Sequence, residues 1–457
     1  MQVLNPNAAG IDVGDTMHAV AVPPGRCTEP VRKFGAFTCD LQAIAAWLQE
    51  CGIDTVAMES TGVYWKPLYA LLIMHGFEVL LVNAKQTANV SGKKTDMSDA
   101  AWIQQLHSCG LLTTSFLPDD LTESLRTVTR QRRALMQDGS RCVQRIQKNL
   151  ELMNIKTHTV ISDIMGKSGK GIIEAIIAGE RDPVNFLPLV DPRIRADKDT
   201  IVKSLTGNWR QECLFLVKQN YGQYQQLQQH VKDCEIEIEC FLQQMGAINN
   251  GGFIEEEAPR PGGSEAACGQ AGMTKKASDE KKKQKQKNKN SPSYDVRKYL
   301  EKIHGVDVME IFGISEISAL EILSETGTDL SRWGNEMKFV SWLNLCPNNK
   351  ITGGKLVSSK LMKKTPNAAC QGFRAAANSL KFSDNWLGDY FRRMRAKGGQ
   401  KYAIVATARK LAIIYYKMVR YKKSFMPVDI EQYREEQRQA KIEYLEKKLI
   451  ELKKQAA

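Results

Sequence analysis

Four acidic residues are spaced as phosphodiester chemistry requires. Asp12 closes an apolar stretch in "GIDVG", Glu59 closes another in "VAMEST", and "KKTDMSDAAW" sets Asp96 and Asp99 three residues apart where a helix should begin. Residues three apart on a helix share a face. Three or four carboxylates converging at one sheet edge are what two divalent cations need to clamp the attacking and leaving oxygens of a phosphodiester. Each acid also has an ordinary reading. Asp96 or Asp99 suits a helix N-cap, Asp12 alone suits a turn, and Asp15 is read as the hairpin turn that follows it. Glu59 is harder to explain in that way, because an acid after "VAM" interrupts an apolar strand end.

A second stretch carries hydroxyls. Residues 348–360 read "NNKITGGKLVSSK", with Thr352, Ser358 and Ser359 as candidate nucleophiles around Gly353 and Gly354. Lys350, Lys355 and Lys360 lie in it, and Lys363 and Lys364 follow. A Gly-Gly turn lets backbone N–H groups and lysines approach a phosphate. The same composition describes a solvated loop, and any one lysine alone reads as a surface charge.

The elements that must position these groups follow from periodicity. Residues 8–14, 18–24 and 31–37 read as three strands, 41–52 as a helix ending on glycine, 54–60 as a strand, 64–76 as a helix and 77–83 as a strand. This β-β-β-α-β-α-β order predicts an α/β domain with a mixed sheet, whose strand ends would gather the acids at one edge. Residues 121–155 and 211–245 are long heptad-like runs, expected to pair as an antiparallel coiled coil with 156–205 at its tip. Residues 246–292 are rich in Gly, Lys and Gln without periodicity and read as a disordered linker. Helical patterns resume at 294–303, 315–327, 336–346, 368–380 and 401–419, the last being the most apolar. Residues 429–455 read as a charged helix, solvated or serving as an oligomer arm.

A net charge of +13 favours a polyanionic partner, and its basic residues are not confined to the lysine cluster at 275–290. No apolar run reaches the roughly 18 residues of a membrane span, so no membrane partner is expected. The N-terminus lacks a basic region followed by an apolar one, so no secretory signal is expected. Eleven scattered cysteines without CxxC pairs exclude a zinc or disulfide framework and point to the cytoplasm. The six dispersed histidines read as satisfied structural or surface residues. Two further patterns have paired readings. "IFGISEISALEIL" resembles a helix-hairpin-helix turn able to hold a phosphate, or a plain helix connection. Tyr64 and Trp65 suit base stacking or simple packing at a helix start.

Taken together, "GIDVG", "VAMESTGVYWKPLYALL", "VNAKQTANVSGKKTDMSDAAWIQQLHSCGLL", "GVDVMEIFGISEISALEILSETGTD" and "FVSWLNLCPNNKITGGKLVSSK" resemble, in order, the blocks of the IS110-type transposases. The resemblance runs from about residue 8 to 420, sparing the linker and the terminal helix. It implies an α/β RuvC-like (RNase H-like) N-terminal domain, an antiparallel coiled coil and a mostly α-helical C-terminal transposase domain. The implied division is 1–116, 117–246, a linker at 247–292, 293–425 with the nucleophile loop, and a charged helix at 426–457. It also implies Mg²⁺-dependent DNA recombination on double-stranded target and donor DNA, guided by a structured noncoding RNA, in a homo-oligomer (dimer or tetramer) and through a covalent protein–DNA link. The implied metal and catalytic set is Asp12, Glu59, Asp96 and Asp99. The family pattern has serine before the Gly-Gly pair where this chain has Thr352. The implied nucleophile is therefore Thr352, with Ser358 and Ser359 as alternatives. Nucleic-acid contacts would come from Lys350, Gly353, Gly354, Lys355, Lys360, Lys363 and Lys364. A junction nuclease without a covalent intermediate, and a catalytically impaired nucleic-acid-binding descendant, are the rival readings.

Overall fold

The computed structural model describes residues 3–60, 62–83, 96–248, 291–362 and 367–456, and the side chains among them except those of 96–98 and 452–456. The expected linker therefore lies almost wholly outside the described residues. The chain divides into two compact units, Met1–Leu117 and Pro118–Ala457.

Unit 1 holds strands β1 (Ala8–Val13), β2 (Met17–Ala21), β3 (Val31–Gly35), β4 (Thr55–Glu59) and β5 (Glu78–Val82) in the order β3-β2-β1-β4-β5. β1–β2 and β2–β3 are antiparallel, whereas β1–β4 and β4–β5 are parallel. Helices α1 (Thr38–Glu50) and α2 (Trp65–Met74) supply the two parallel crossovers, as the sequence order predicted. Alternation along β1 sends Ala9, Ile11 and Val13 into a core with Ile44, Leu48, Leu68 and Leu72 of α1 and α2. The opposite face carries small residues and is covered by α3 (Asp96–Ser108), with Ala100 packed on Ala19 and Ala21.

Unit 2 opens with α4 (Asp120–Leu152), whose N-cap Asp119 accepts from the backbone of Thr122 at 2.8 Å. It pairs antiparallel with α8 (Gln211–Ile248): Arg132 of α4 meets Glu235 of α8, and seven residues further along α4 Gly139 lies beside Gln228 and Tyr224, earlier in α8. Between them α5 (Thr157–Val160), α6 (Lys167–Ala178) and α7 (Lys198–Leu205) form a small cap around Ile172, Ile176, Phe186 and Leu205. The remaining helices are α9 (Val296–His304), α10 (Glu316–Thr326), α11 (Glu336–Trp342), α12 (Ala368–Ser379), α13 (Trp386–Tyr421) and α14 (Ile430–Ala456). Phe339, Phe373, Tyr415 and Tyr416 meet in its aromatic core.

Three details differ from expectation. The apolar run at 401–419 belongs to the longer α13, whose backbone breaks at Gly398 and Gly399. A two-stranded hairpin, β6 (Asn348–Thr352) and β7 (Lys355–Lys360), interrupts the helices where a glycine turn was read. The histidines are less fully bonded than read, since Nδ1 of buried His18 and of buried His304 has no partner. All ten described cysteines are free, and no helix among the described residues is long and apolar enough to cross a membrane.

Candidate active site and nucleophile hairpin

The acidic residues are placed by strand register. β1 and β4 run parallel, with Ala8 opposite Thr55 and Ile11 opposite Met58. Continued by one residue, that register sets Asp12 beside Glu59 at the C-terminal ends of neighbouring strands. Ile11 and Met58 point into the core under α1 and α2, so by alternation Asp12 and Glu59 point to the α3 side. Both are half-buried.

α3 brings the third acid to the same place. Its C-terminal end lies by the start of the chain, where Leu4 N donates to Ser108 O at 2.8 Å. One turn back, Gln104 Nε2 donates to Ala8 O at 3.2 Å and to Ser108 Oγ at 2.8 Å. Another turn back, Ala100 lies against Gly10, where an added Cβ would meet its carbonyl oxygen at 2.5 Å and Gln104 N at 2.2 Å. The next turn, Asp96–Asp99, therefore reaches the level of Asp12. Asp99 is half-buried there; the side chain of Asp96 lies outside the described residues. Gly10, two residues before Asp12, lets a helix backbone lie directly on a strand. Gly14 and Asp15 occupy the β1–β2 turn.

Two polar contacts hold α3 in place: buried His107 Nε2 lies 3.0 Å from Thr55 Oγ1 of β4, and half-buried Asn5 Nδ2, ahead of β1, donates to His107 O at 2.9 Å. Burial lowers the pKa of His107, which keeps the ring neutral. Little in the amino-acid pattern signals this clasp beyond the small residues of "AAG". Trp65 packs edge-on to Tyr69 at 5.7 Å against the core, while Tyr64 is exposed, so the two do not form the aromatic pair envisaged.

The donor set is all carboxylate, which suits a hard cation such as Mg²⁺. Among the described residues no three His, Cys, Asp or Glu side chains are gathered closely enough to hold a metal ion, and Asp96 is not among those side chains.

The hydroxyls lie on the β6–β7 hairpin of unit 2. Gly353 and Gly354 form its two-residue turn with φ of +56° and +75°, as a type I′ turn requires, and nothing lies within 4 Å of where a Cβ would sit. Thr352 pairs with Lys355, Ile351 with Leu356, Lys350 with Ser358, Asn349 with Ser359, and Asn348 with Lys360. Paired residues share a face. The register shift after Lys350 leaves Val357 as the extra residue of a bulge. Thr352, Lys350, Lys355, Ser358 and Lys360 consequently share one basic face. Ile351, Leu356 and Ser359 share the other, where Ser359 Oγ donates to Asn349 Oδ1 at 2.7 Å. Lys363 and Lys364 lie outside the described residues. Gly313 of the helix-hairpin-helix-like stretch packs closely on α12, its missing Cβ 2.6 Å from Ala376 O, so it serves a helix contact.

Two family models match the chain. A transposase model for the DEDD domain of IS110 elements matches residues 9–155, from β1 through the acidic positions into α4. A model described as Transposase IS116/IS110/IS902 family matches residues 307–392, which include the hairpin. No curated protein matches the chain significantly. Two family models of one kind of element, in the expected order and together spanning about half of the chain, agree with each other, and the chain belongs to the IS110 family of transposases.

Proposed function

We propose that the protein is a DNA recombinase that moves its element by strand cleavage and exchange at a carboxylate site built from Asp12, Glu59, Asp96 and Asp99. The parallel β1–β4 register, which sets Asp12 beside Glu59 beneath the first turn of α3, is the observation that carries this reading. RNase H-like topology is the fold we assign to unit 1, from its 3-2-1-4-5 strand order with one reversed pair of connections. We assign the α4–α8 helix pair as the coiled coil of the expected domain plan. Mg²⁺, when bound by these carboxylates, would withdraw charge from the scissile phosphate. The carboxylates themselves keep that sheet edge anionic enough to hold divalent cations.

Thr352 is the nucleophile in this reading. Its Oγ forms a bond to phosphorus while the sugar oxygen leaves, and the hydroxyl proton passes in net terms to that sugar oxygen. A second strand's hydroxyl then reverses the exchange, so neither water nor a high-energy cofactor is consumed. The hairpin favours Thr352 and Ser358 over Ser359, because Ser359 faces away from the lysines and is engaged by Asn349. Lys350, Lys355 and Lys360 hold the phosphates on the Thr352 side, with Gly353 and Gly354 allowing close approach. The β-methyl of threonine restricts χ1, which slows attack relative to serine. Target and donor DNA are selected by pairing to a structured guide RNA, the protein reading backbone and shape, in an assembly of at least two copies.

A recombination assay with the element's flanking RNA and DNA, run on Thr352→Ala, Thr352→Ser and Asp12→Asn, tests this. Thr352→Ala should abolish both recombination and any protein–DNA adduct that survives SDS, while Thr352→Ser should retain or raise both. Full activity in Thr352→Ala would transfer the role to Ser358. Undiminished cleavage in Asp12→Asn would remove the carboxylate site. Cleavage without an adduct would identify a nuclease.

A further inference from the structure

α14 is tied to unit 2 at one end and bears an uncovered apolar seam toward the other. Tyr433 packs at a tilt on Trp386, 5.7 Å between centroids, beneath the guanidinium of Arg393, and Arg434 donates to Asp389 at 2.6 Å and to Asp384 at 3.3 Å. Beyond Arg434, among the described residues, side-chain hydrogen bonds and ion pairs stay within the helix, as in Arg438 with Glu435 and Gln439 with Glu435. Ile442, Leu445 and Leu449 are 42%, 52% and 54% exposed. Their spacing of three then four is that of heptad positions a, d and a, and the sequence continues it to Leu452. Tyr444 and Ile450 lie off that seam. A helix that only needed solvation would have no reason to align its large aliphatic residues.

We propose that this seam is a self-association surface: the distal half of α14 pairs with the same helix of a second copy of this chain, parallel and in register. Charge selects the occupant. From residue 430 to 456 the helix carries seven basic and six acidic residues, so it offers no cationic face to nucleic acid even though the chain as a whole is +13. Charge also selects the direction. In a parallel pair Lys441 at a g position faces Glu446 at the partner's e position, twice by symmetry. An antiparallel pair centred on Leu445 and Leu449 would oppose Glu446 to Glu446 and Lys448 to Lys448. The parallel arrangement also sets Lys448 near Lys453, which loosens its far end. Ile442 at a with Leu445 at d matches the two-stranded preference in the first heptad, and Leu449 takes the next a position. Two heptads hold weakly alone, so the seam acts as an added contact that fixes the register of copies brought together elsewhere.

Disulfide trapping in the full-length protein tests the pairing. Leu445→Cys places a thiol at a d position, where partner Cα atoms lie within bonding reach, and Lys447→Cys places one on the outer face. Under mild oxidation Leu445→Cys should give about tenfold more covalent dimer than Lys447→Cys or the parent chain. Adding Leu449→Glu to Leu445→Cys should remove that excess. Equal dimer from the 445 and 447 variants would overturn the seam. Cross-linking of Leu445→Cys only to a Leu449→Cys chain mixed with it would overturn the parallel direction.

Discussion

Gly10 carries the tightest constraint near the acidic residues, because the backbone of α3 lies where its side chain would be. Gly10→Ala should push α3 off β1, with an overpacking cost of about 1–3 kcal/mol. It should also lower recombination although all four acids remain, because the turn bearing Asp96 and Asp99 moves. Unchanged melting and activity would remove α3 as the positioning element. His304 provides a pH-dependent residue. Burial, with the Lys422 ammonium adding to it, holds its pKa down to about 3, and its ring meets the hydroxyl of Tyr415 at 3.2 Å. The folded state thus binds its proton less readily than the unfolded state, whose value lies near 6.5. Its contribution is present above pH 6.5 and is lost as pH falls toward 3. The melting temperature of unit 2 should fall between pH 7.5 and pH 5, and His304→Gln should flatten that slope. An identical slope in the variant would assign it to other groups.

Among the elements, α4 is fastened to α10 by a buried ion network. Glu325, 2% exposed at its side chain, takes Arg126 at 3.4 Å and Arg130 at 2.8 Å, and Arg126 also donates to Glu325 O at 2.8 Å. Glu325→Ala leaves buried Arg126 with Glu123, at 2.9 Å, as its carboxylate and should cost about 1–3 kcal/mol in unit 2. An apolar pair, Arg126→Met with Glu325→Leu, should recover much of that loss in a denaturant titration. The hairpin bulge is the other element with a specific consequence. Deleting Val357 removes the bulge but keeps Lys350 opposite Ser358, so Ser358 and Lys360 stay on the Thr352 face. Activity should then match that of Val357→Ala; a much larger loss would mean that the bend of the bulge, and not the facing of these side chains, is what matters.

At the scale of the whole molecule, charge governs the encounter with nucleic acid. With +13 overall, duplex binding should weaken roughly a hundredfold or more between 50 and 200 mM salt, as released counterions oppose it. A flat salt profile in a filter-binding series would require contacts that are mainly apolar. The two units each have their own core, so a defect such as Gly10→Ala in unit 1 and one such as Glu325→Ala in unit 2 should destabilise separate transitions.

The sequence by itself determined the order and kind of the elements of unit 1 and of the long helix pair. Strand and helix periods in residues 8–83 named all five strands and both crossovers, and the long heptad-like runs became α4 and α8. It also singled out Asp12 and Glu59, since an acid at the end of an apolar strand is visible locally. What the tertiary structure decided depends on partners distant in sequence. Only the parallel register sets Asp12 beside Glu59, and only the passage of α3 over Gly10 explains that glycine, because close approach of two backbones leaves no local pattern. Gly-Gly between "IT" and "KL" is a hairpin signal that composition disguised as a loop. The sorting of Thr352 and Ser358 from Ser359 came from a one-residue bulge, since side-chain direction in a strand has period two and a single extra residue reverses it.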